Sequence, residues 1–253
     1  MKYKRLIPLI VPVLVWLLAE VFLAQPKFFY FSLTFSVLLL ILGIKYISGQ
    51  SRKIWSLFII SPVLFLLSFL TYTAIIVNYF WIQTIYLLVV WFTFFYLRNF
   101  YYYSTNLEDR AVWMAKQDNL LISGGFLTAF ATAAVLFDLS AFITWPIYVM
   151  LPLWALVVWL LLIQFRPLKP DNSWPVGGLI PISVLILTEL AGVFSLLPLN
   201  YNILALFLAI IYYIDLMIIR LIISGALNRR ALKLPLILSF MAILFLFLTA
   251  SWL

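Results

Sequence analysis

Long apolar stretches, most of them divided once by a few polar or helix-breaking residues, make up the greater part of this chain. Four of these runs, residues 6–47, 54–97, 120–165 and 179–223, are each more than forty residues long, and a shorter run covers 234–253. A helix crosses the hydrocarbon core of a bilayer in about 20 residues, because each residue adds 1.5 Å. Each long run is therefore too long for one crossing and fits a hairpin of two helices.

Polar or helix-breaking residues near the middle of each long run mark where these hairpins turn. The turns are predicted at Gln25-Pro26-Lys27, Asn78, Asp138-Leu139-Ser140 and Pro198-Leu199-Asn200. Each of the four turns joins two helices, and the last run adds one more, which gives nine transmembrane helices. The sequence therefore predicts an all-α, polytopic integral membrane helix bundle that forms a single domain over residues 1–253. The predicted spans are 6–24, 28–47, 54–77, 79–97, 120–137, 143–165, 179–197, 201–223 and 234–253.

The basic residues are confined almost entirely to alternate gaps between the spans. Lys27 is the one exception among 16 lysines and arginines. The others are Lys2, Lys4, Arg5, Lys45, Arg52, Lys53, Arg98, Arg110, Lys116, Arg166, Lys169, Arg220, Arg229, Arg230 and Lys233. Basic residues accumulate on the side of the membrane from which the chain is not translocated. This bias predicts a cytoplasmic N-terminus and, with nine crossings, a C-terminus outside.

The composition supports a membrane protein and indicates which surfaces it meets. Hydrophobic residues make up 67% and charged residues 9% of the chain, whereas soluble domains carry about 25% charged residues. The net charge of +8 is dispersed along the membrane surface, so it predicts contact with the lipid bilayer and its anionic head groups rather than with nucleic acid. The absence of Asn-x-Ser/Thr sequons is compatible with a multi-pass protein of a bacterial plasma membrane.

The chain contains no histidine and no cysteine, and this excludes several kinds of catalytic site. A His/Cys zinc site, a histidine haem ligand, a serine–histidine relay and a thiol redox centre all require one of these residues. Neither a Walker loop nor a dinucleotide fingerprint occurs in the sequence. We therefore expect no metal and no cofactor, and the sequence leans against an enzyme.

Acidic residues inside the predicted spans carry the functional signal that the sequence offers. Glu20 lies near the outer end of the first span, Glu189 near the middle of the seventh, and Asp215 in the inner half of the eighth. A charge at the bilayer centre costs about 2.5–3.5 kcal/mol, so such groups usually face the bundle interior or water. Glu189 and Asp215 lie on consecutive antiparallel helices, so the two carboxyl groups could approach each other. Arg220, five residues after Asp215, offers a structural alternative. It can snorkel to the interface or pair with an acid from another helix, and an Asp–Arg pair inside a bundle can fix helix register without any activity.

Small residues recur at four-residue spacing along the predicted fifth span. They form two neighbouring rows, Gly124, Thr128 and Thr132 in one, and Gly125, Ala129 and Ala133 in the other. Small side chains let helix backbones approach closely, which drives helix association inside lipid. We expect this helix to pack at the centre of the bundle, with homodimerisation through the same face as the alternative.

The segment between the fourth and fifth spans is the richest polar feature of the chain. Thr105-x-x-Glu108 fits a capping box, which predicts a helix from Leu107 to Asn119 that runs into the fifth span. The simpler interpretation is a helix extension at the level of the head groups. The alternative is a cytoplasmic contact segment for a partner, formed by Arg110, Trp113 and Met114.

The stretch Glu189-Leu-Ala-Gly-Val-Phe-Ser-Leu-Leu-Pro-Leu-Asn-Tyr201, followed by an apolar run through Tyr213, resembles segments of uncharacterised multi-span membrane proteins from small-genome bacteria. The resemblance implies a bacterial plasma-membrane setting and no known activity. It assigns no catalytic or binding residue in this chain.

Three classes of function fit this sequence. An accessory or assembly subunit, working with other membrane subunits through helix packing and cytoplasmic loops, agrees best with the scarcity of polar residues in the spans. A small-solute or proton-coupled transporter would use Glu189 and Asp215 in a cavity, and a lipid-modifying membrane enzyme is the third class. A cavity that reaches Glu189 would favour transport, whereas a dry, packed interior would favour the subunit.

Overall fold

Nine α-helices follow one another in the part of the chain that the computed structural model describes, residues 2–48, 52–105, 110–143, 145–165, 174–223 and 229–249. Their bounds are Ile7–Ala24 (α1), Phe29–Ser48 (α2), Arg52–Thr73 (α3), Tyr79–Thr105 (α4), Arg110–Phe142 (α5), Ile147–Ile163 (α6), Trp174–Phe194 (α7), Tyr201–Ile223 (α8) and Arg229–Thr249 (α9). Short 3-10 helices, Lys2–Leu6 and Pro26–Phe28, precede α1 and α2. The predicted all-α architecture is confirmed.

Several of the helices have the length and composition that a membrane requires. Among the described residues, five stretches are long and apolar enough to cross a bilayer: Lys4–Ala24, Pro26–Ser48, Tyr79–Thr105, Val112–Phe142 and Tyr201–Ile223. Four shorter apolar helices are Phe58–Thr73, Ile147–Ile163, Gly178–Phe194 and Pro235–Leu246. These helices indicate a membrane protein, as the sequence predicts.

Asparagine side chains begin two of the helices at predicted turns. The Asn78 Oδ1 atom accepts a hydrogen bond from the Phe80 amide at 3.0 Å, and Oδ1 of Asn200 accepts one from the Asn202 amide at 2.9 Å. Each asparagine thereby satisfies one of the free amides at a helix start. The turns predicted at these two residues are confirmed, and α8 has the predicted bounds.

Other helix ends differ from the predicted ones. α3 ends at Thr73 rather than at residue 77, and the amides of Ala74 and Ile75 bond three residues back, which tightens its last turn. α7 and α9 begin five residues earlier than predicted, at Trp174 and Arg229. The apolar pattern therefore locates each helix but not its terminal turn.

α4 is longer than its predicted span, because it continues past residue 97 to Thr105. No proline or glycine interrupts this extension, and Phe100 and Tyr103 are buried against the ring of Phe58, with centroids 5.2 and 5.5 Å away. Thr105 ends the helix, and its hydroxyl donates to the Tyr101 carbonyl oxygen. Glu108, the other half of the predicted capping box, lies outside the described residues.

The third turn lies later in the chain than predicted. The sequence predicts this turn at Asp138-Leu139-Ser140, but α5 continues through these residues to Phe142. The chain reverses just beyond, where Pro146 in an extended conformation begins α6 and the Ser140 hydroxyl donates to the Trp145 carbonyl at 3.3 Å. The prediction was wrong because proline disfavours a helical residue before it, whereas one aspartate and one serine do not end a helix. The predicted helical run into the fifth span is confirmed from Arg110 onward.

The chain divides into two compact units, Met1–Gly124 and Gly125–Leu253, and the boundary falls within α5. In the first unit, α4 packs against α1, α2 and α3, most extensively against α1. The buried face of α4 repeats every three or four residues and includes Ile82, Tyr86, Val89, Phe92, Tyr96, Phe100 and Tyr103. This spacing keeps one side of α4 in the core of the first unit along its whole length. The single domain stays a prediction.

In the second unit, α7 lies between α6 and α8, and α9 packs on α8. Two contacts show that α6 and α7 are antiparallel. The Trp154 indole nitrogen donates to the Leu187 carbonyl oxygen at 3.1 Å, and Leu151 lies against Gly192. An earlier residue of α6 therefore contacts a later residue of α7, as antiparallel helices require. This arrangement leaves one side of α7 uncovered by its neighbours.

Candidate functional site

The uncovered side of α7 carries the only acidic residue of that helix. Glu189 is exposed, and so are Ile182, Leu185, Ile186 and Val193. These aliphatic residues lie three, four or seven positions from Glu189, so all five share one face of the helix. We call these five residues the α7 stripe. It places a carboxyl group in the middle of a row of exposed hydrophobic side chains.

Glu189 lies closer to one end of its helix than the sequence predicts. The predicted span, 179–197, places it near mid-depth, but α7 runs from Trp174 to Phe194. Glu189 is five residues before that end, which corresponds to about 7.5 Å along the helix axis. Its carboxyl group is therefore within the apolar part of α7 but in the last two turns.

The opposite face of α7 is buried and holds a hydroxyl group against α8. Ile180, Ser183, Leu187 and Ala191 are all buried at the spacing of one helix face. The Ser183 hydroxyl donates a hydrogen bond to Oδ1 of Asp215 at 3.0 Å. Hydrogen bonds between helices of this kind stabilise membrane proteins by about 0.6 kcal/mol on average.

The structure separates Glu189 and Asp215, whose approach the sequence allows. Asp215 is bonded to the buried face of α7, while Glu189 lies on the exposed face of the same helix. Counting residues fixes the depth of each acid but not the direction in which its side chain leaves the helix. The partner of Asp215 on α7 is Ser183 and not Glu189.

One carboxylate oxygen of Asp215 has no partner among the described residues. Its Oδ2 atom is buried and receives no hydrogen bond from the described part of the chain. Tyr212 lies three residues earlier on the same face of α8, and its hydroxyl is likewise buried without a partner in that part. This hydroxyl rests on α5 at Gly125, where an added Cβ atom would lie 2.9 Å from Oη. We call Ser183, Tyr212 and Asp215 the α8 polar cluster.

Arg220 occupies the last turn of α8 and is half-buried. Five residues along a helix correspond to about 140° of rotation, so Arg220 and Asp215 leave α8 in different directions. A cation near a helix C-terminus interacts favourably with the helix dipole. The helix dipole therefore accounts for the position of Arg220 without a partner from the α8 polar cluster.

A groove of about 470 Å³ runs between α6 and α7, next to the α7 stripe. It is lined by Ala155, Leu156, Trp159, Pro181, Val184, Leu185 and Thr188. Leu185 belongs to both the groove and the stripe, and Thr188 immediately precedes Glu189. The Thr188 hydroxyl donates to the Val184 carbonyl of its own helix at 2.6 Å, so the groove walls are apolar in character. We call this feature the α6–α7 groove.

Glu20 takes part in a hydrogen-bonded contact between α1 and α4. Its Oε1 atom accepts a hydrogen bond from Nε2 of Gln83 at 2.9 Å, and the same amide nitrogen donates to the Tyr79 hydroxyl at 3.1 Å. The Tyr86 hydroxyl donates to the Ala19 carbonyl at 3.2 Å. Glu20 is thus part of the packing of the first unit, which favours a structural role for it.

The small residues of α5 allow close packing where the sequence predicts it. A Cβ atom at Gly124 would overlap the ring of Phe92, which stacks on Phe65 at a centroid distance of 3.9 Å. Thr128 is fully buried and Thr132 is partly buried. α5 is also the most buried of the five long apolar helices. These contacts agree with close helix packing along α5.

The segment proposed as a cytoplasmic contact forms an aromatic stack at the start of α5. Trp113 stacks on Tyr102 of α4 with ring centroids 4.4 Å apart, and the Lys116 ammonium lies 4.1 Å from the centre of the Trp113 ring. The Arg98 guanidinium lies 5.9 Å from the centre of the Tyr102 ring. Met114 is exposed, and the side chain of Arg110 lies outside the described residues.

Ser183, Tyr212, Gln83 and the α6–α7 groove are not among the features that the sequence predicts. A hydroxyl or amide within an apolar span is a usable signal, because inside lipid such groups tend to bond across helices. Ser183 and Gln83 meet that description. The groove leaves no such signal, since most of its lining residues are ordinary aliphatic ones.

Comparisons with protein-family models, with curated proteins and with solved structures found no match for this chain.

Proposed function

We propose that this protein is an accessory or assembly subunit that crosses a bacterial plasma membrane nine times, with its N-terminus in the cytoplasm and its C-terminus outside. The alternation of basic residues supports this orientation. The four shorter apolar helices, of which Ile147–Ile163 is an example, complete the count of nine. The lipid bilayer, its anionic head groups and other membrane subunits are the partners in this proposal.

The position of Glu189 is the observation that carries the subunit proposal. The residue is exposed in a row of exposed aliphatic side chains. A carboxylate that faces hydrocarbon costs several kcal/mol, and such residues in membrane proteins are usually paired or face a protected interior. Since the described residues of the chain leave this face of α7 open, the helix of another subunit is the partner that would cover it.

A transporter remains the second candidate, with Asp215 rather than the pair of acids at its centre. The separation of Glu189 from Asp215 argues against a shared cavity for both carboxyl groups. The Oδ2 atom of Asp215 and the nearby Tyr212 hydroxyl, both buried without a partner among the residues that the structure describes, are the observations that favour this candidate. Buried polar groups without a partner in the fold are uncommon and are often found at working sites.

The subunit proposal is tested by the size of the particle that contains this protein in its own membrane. In mild detergent, the wild-type protein should migrate in native electrophoresis as a complex larger than its own 29.4 kDa chain with bound detergent. Glu189→Leu should release a smaller particle while the yield of folded protein is unchanged, because Glu189 is exposed. Glu20→Gln is the matched control, since Glu20 bonds within the first unit, and it should leave the complex intact. A wild-type protein that migrates alone contradicts the proposal.

A further inference from the structure

We infer that the α6–α7 groove and the α7 stripe together hold one transmembrane helix of a partner, and that this helix carries a lysine or arginine opposite Glu189. This inference rests on the proposed subunit function and adds the chemistry of the partner. The basic residue would lie about 7.5 Å inside the end of α7 at Phe194, which is the depth of Glu189.

The shape of the surface favours a helix as the occupant. The α6–α7 groove is lined by residues of two antiparallel helices, and its α7 wall is formed by residues 181, 184, 185 and 188, which share one face. The α7 stripe continues that wall around the helix and past Glu189 to Val193. A third helix laid between two neighbours contacts both of them along such a line, as in ordinary helix packing.

The charge of the surface favours a basic occupant over a lipid chain. An acyl chain can fill the apolar groove, but it offers nothing to the Glu189 carboxylate at its edge. The head group of an anionic lipid would be repelled by that carboxylate. A lysine or arginine on a partner helix satisfies the carboxylate and lets both charges leave water together. The complementary ion therefore identifies the class of partner.

A second copy of this chain is a poorer fit. On the predicted outer side, where α7 ends, Lys27 is the only basic residue in the sequence. Lys27 is exposed in the short helix Pro26–Phe28, at the very start of the apolar stretch Pro26–Ser48 and not inside it at the depth of Glu189. A copy of this chain therefore lacks a transmembrane cation at the depth of Glu189, whereas a different protein can provide one.

The experiment uses synthetic transmembrane peptides and the full-length protein in phosphatidylcholine vesicles. The chain contains no cysteine, so a Tyr148→Cys variant can be labelled with a donor fluorophore at one site. Tyr148 is exposed, and it lies near the start of α6, beside the end of α7. Three acceptor-labelled leucine–alanine peptides are compared: one with a lysine five residues from its outer end, one with the lysine at its inner end, and one with no lysine.

The peptide with the outer lysine should bind about fivefold more tightly than the neutral peptide, a difference that corresponds to one membrane-embedded polar contact. Glu189→Gln should abolish that preference without changing the unfolding temperature, because Glu189 is exposed. Ala155→Trp should fill the groove and weaken all three peptides. Leu87→Trp, at an exposed position in the first unit, is the matched control and should change nothing.

Four outcomes would overturn the inference. They are equal binding of the lysine and neutral peptides, a lysine preference that survives Glu189→Gln, no binding of any peptide, and self-association that Lys27→Gln abolishes. If one of these occurs while the native complex depends on Glu189, the proposed subunit function stands and only the partner chemistry fails. If the protein has no complex in its own membrane, the proposed function itself fails.

Discussion

The Ser183 hydroxyl on α7 and Oδ1 of Asp215 on α8 form a hydrogen bond of 3.0 Å. This bond places Asp215 against the buried face of α7, while Glu189, six residues later on α7, faces outward. Asp215 and Glu189 therefore meet different surroundings. Asp215 contributes to the contact between two helices, and Glu189 is available to something outside the chain.

The first prediction concerns that hydrogen bond. Ser183→Ala should lower the free energy of unfolding in detergent by about 0.6–1.7 kcal/mol, the range for hydrogen bonds between membrane helices. Asp215→Leu should also destabilise, and the double variant should lose less than the sum of the two, since both changes remove one contact. Thr188→Val is the control, because the Thr188 hydroxyl donates to a carbonyl of its own helix. Strictly additive effects would show that Ser183 and Asp215 are not coupled.

The second prediction concerns the close packing of α4 and α5. Gly124→Ala should destabilise the protein by about 1–3 kcal/mol, because the new methyl group overlaps the ring of Phe92. Phe92→Leu in the same chain should recover part of that loss. Gly178→Ala is the control, since nothing lies within 4 Å of its new Cβ atom, and it should be neutral or slightly stabilising. Thermal unfolding measures all three, and equal tolerance of both alanines would contradict the packing described.

The third prediction uses the buried hydroxyl of Tyr212. Tyr212→Phe should leave the unfolding temperature unchanged or raise it, because the hydroxyl has no partner among the described residues and its removal leaves no unsatisfied group. The same change should make Gly125→Ala tolerable, since the added Cβ atom would otherwise lie 2.9 Å from Oη. A stable Tyr212→Phe variant that loses a growth phenotype would instead favour the transport candidate.

The fourth prediction separates the two interpretations of the segment at the start of α5. Trp113→Ala should lower stability by about 0.5–1.5 kcal/mol, because it removes the stack on Tyr102. Met114→Ala should be nearly neutral, since this side chain is exposed. If Trp113→Ala keeps full stability but releases a soluble partner, the contact-segment interpretation is correct and the packing interpretation is wrong.

The fifth prediction tests the nine crossings and their direction. Single cysteines at Val77 and Leu196, both exposed in turns between helices, should react with a membrane-impermeant maleimide added to intact cells. Cysteines at Lys116 and Lys233, which are exposed near the predicted cytoplasmic side, should react only after the cells are opened. A reversed or mixed pattern contradicts the predicted topology.

Some features of the fold follow from sequence because their causes are local. Asn78 and Asn200 each cap a helix with their own side chain, so the turn and its signal lie in the same few residues. The turn predicted near Asp138 was misplaced because the residue that interrupts the helical conformation is Pro146, which lies outside the predicted turn. The extension of α4 to Thr105 depends on burial against Phe58, a contact distant in sequence.

The direction of Glu189 was not predictable because α7 is apolar on all sides. Ile180 and Leu187 are buried while Ile182 and Ile186 are exposed, and nothing in their chemistry distinguishes the two pairs. In a soluble helix the polar residues mark the outer face, but a membrane helix can be apolar on both faces. Only the packing of α6 and α8 against one side of α7 decides which residues stay uncovered. The depth of an acid can therefore be read from sequence, whereas its direction requires the structure.

The measurement that tests the central claim most directly is photo-crosslinking from the α7 stripe in living membranes. A benzoylphenylalanine at Ile186, beside Glu189 on the exposed face of α7, should give one discrete adduct with another membrane protein after illumination. The same probe at Leu87, which is also exposed but lies in the first unit, should not give that adduct. A probe at Ile186 that reacts only with lipid, in cells where the protein folds and is abundant, would contradict the claim that this face of α7 is covered by a partner helix.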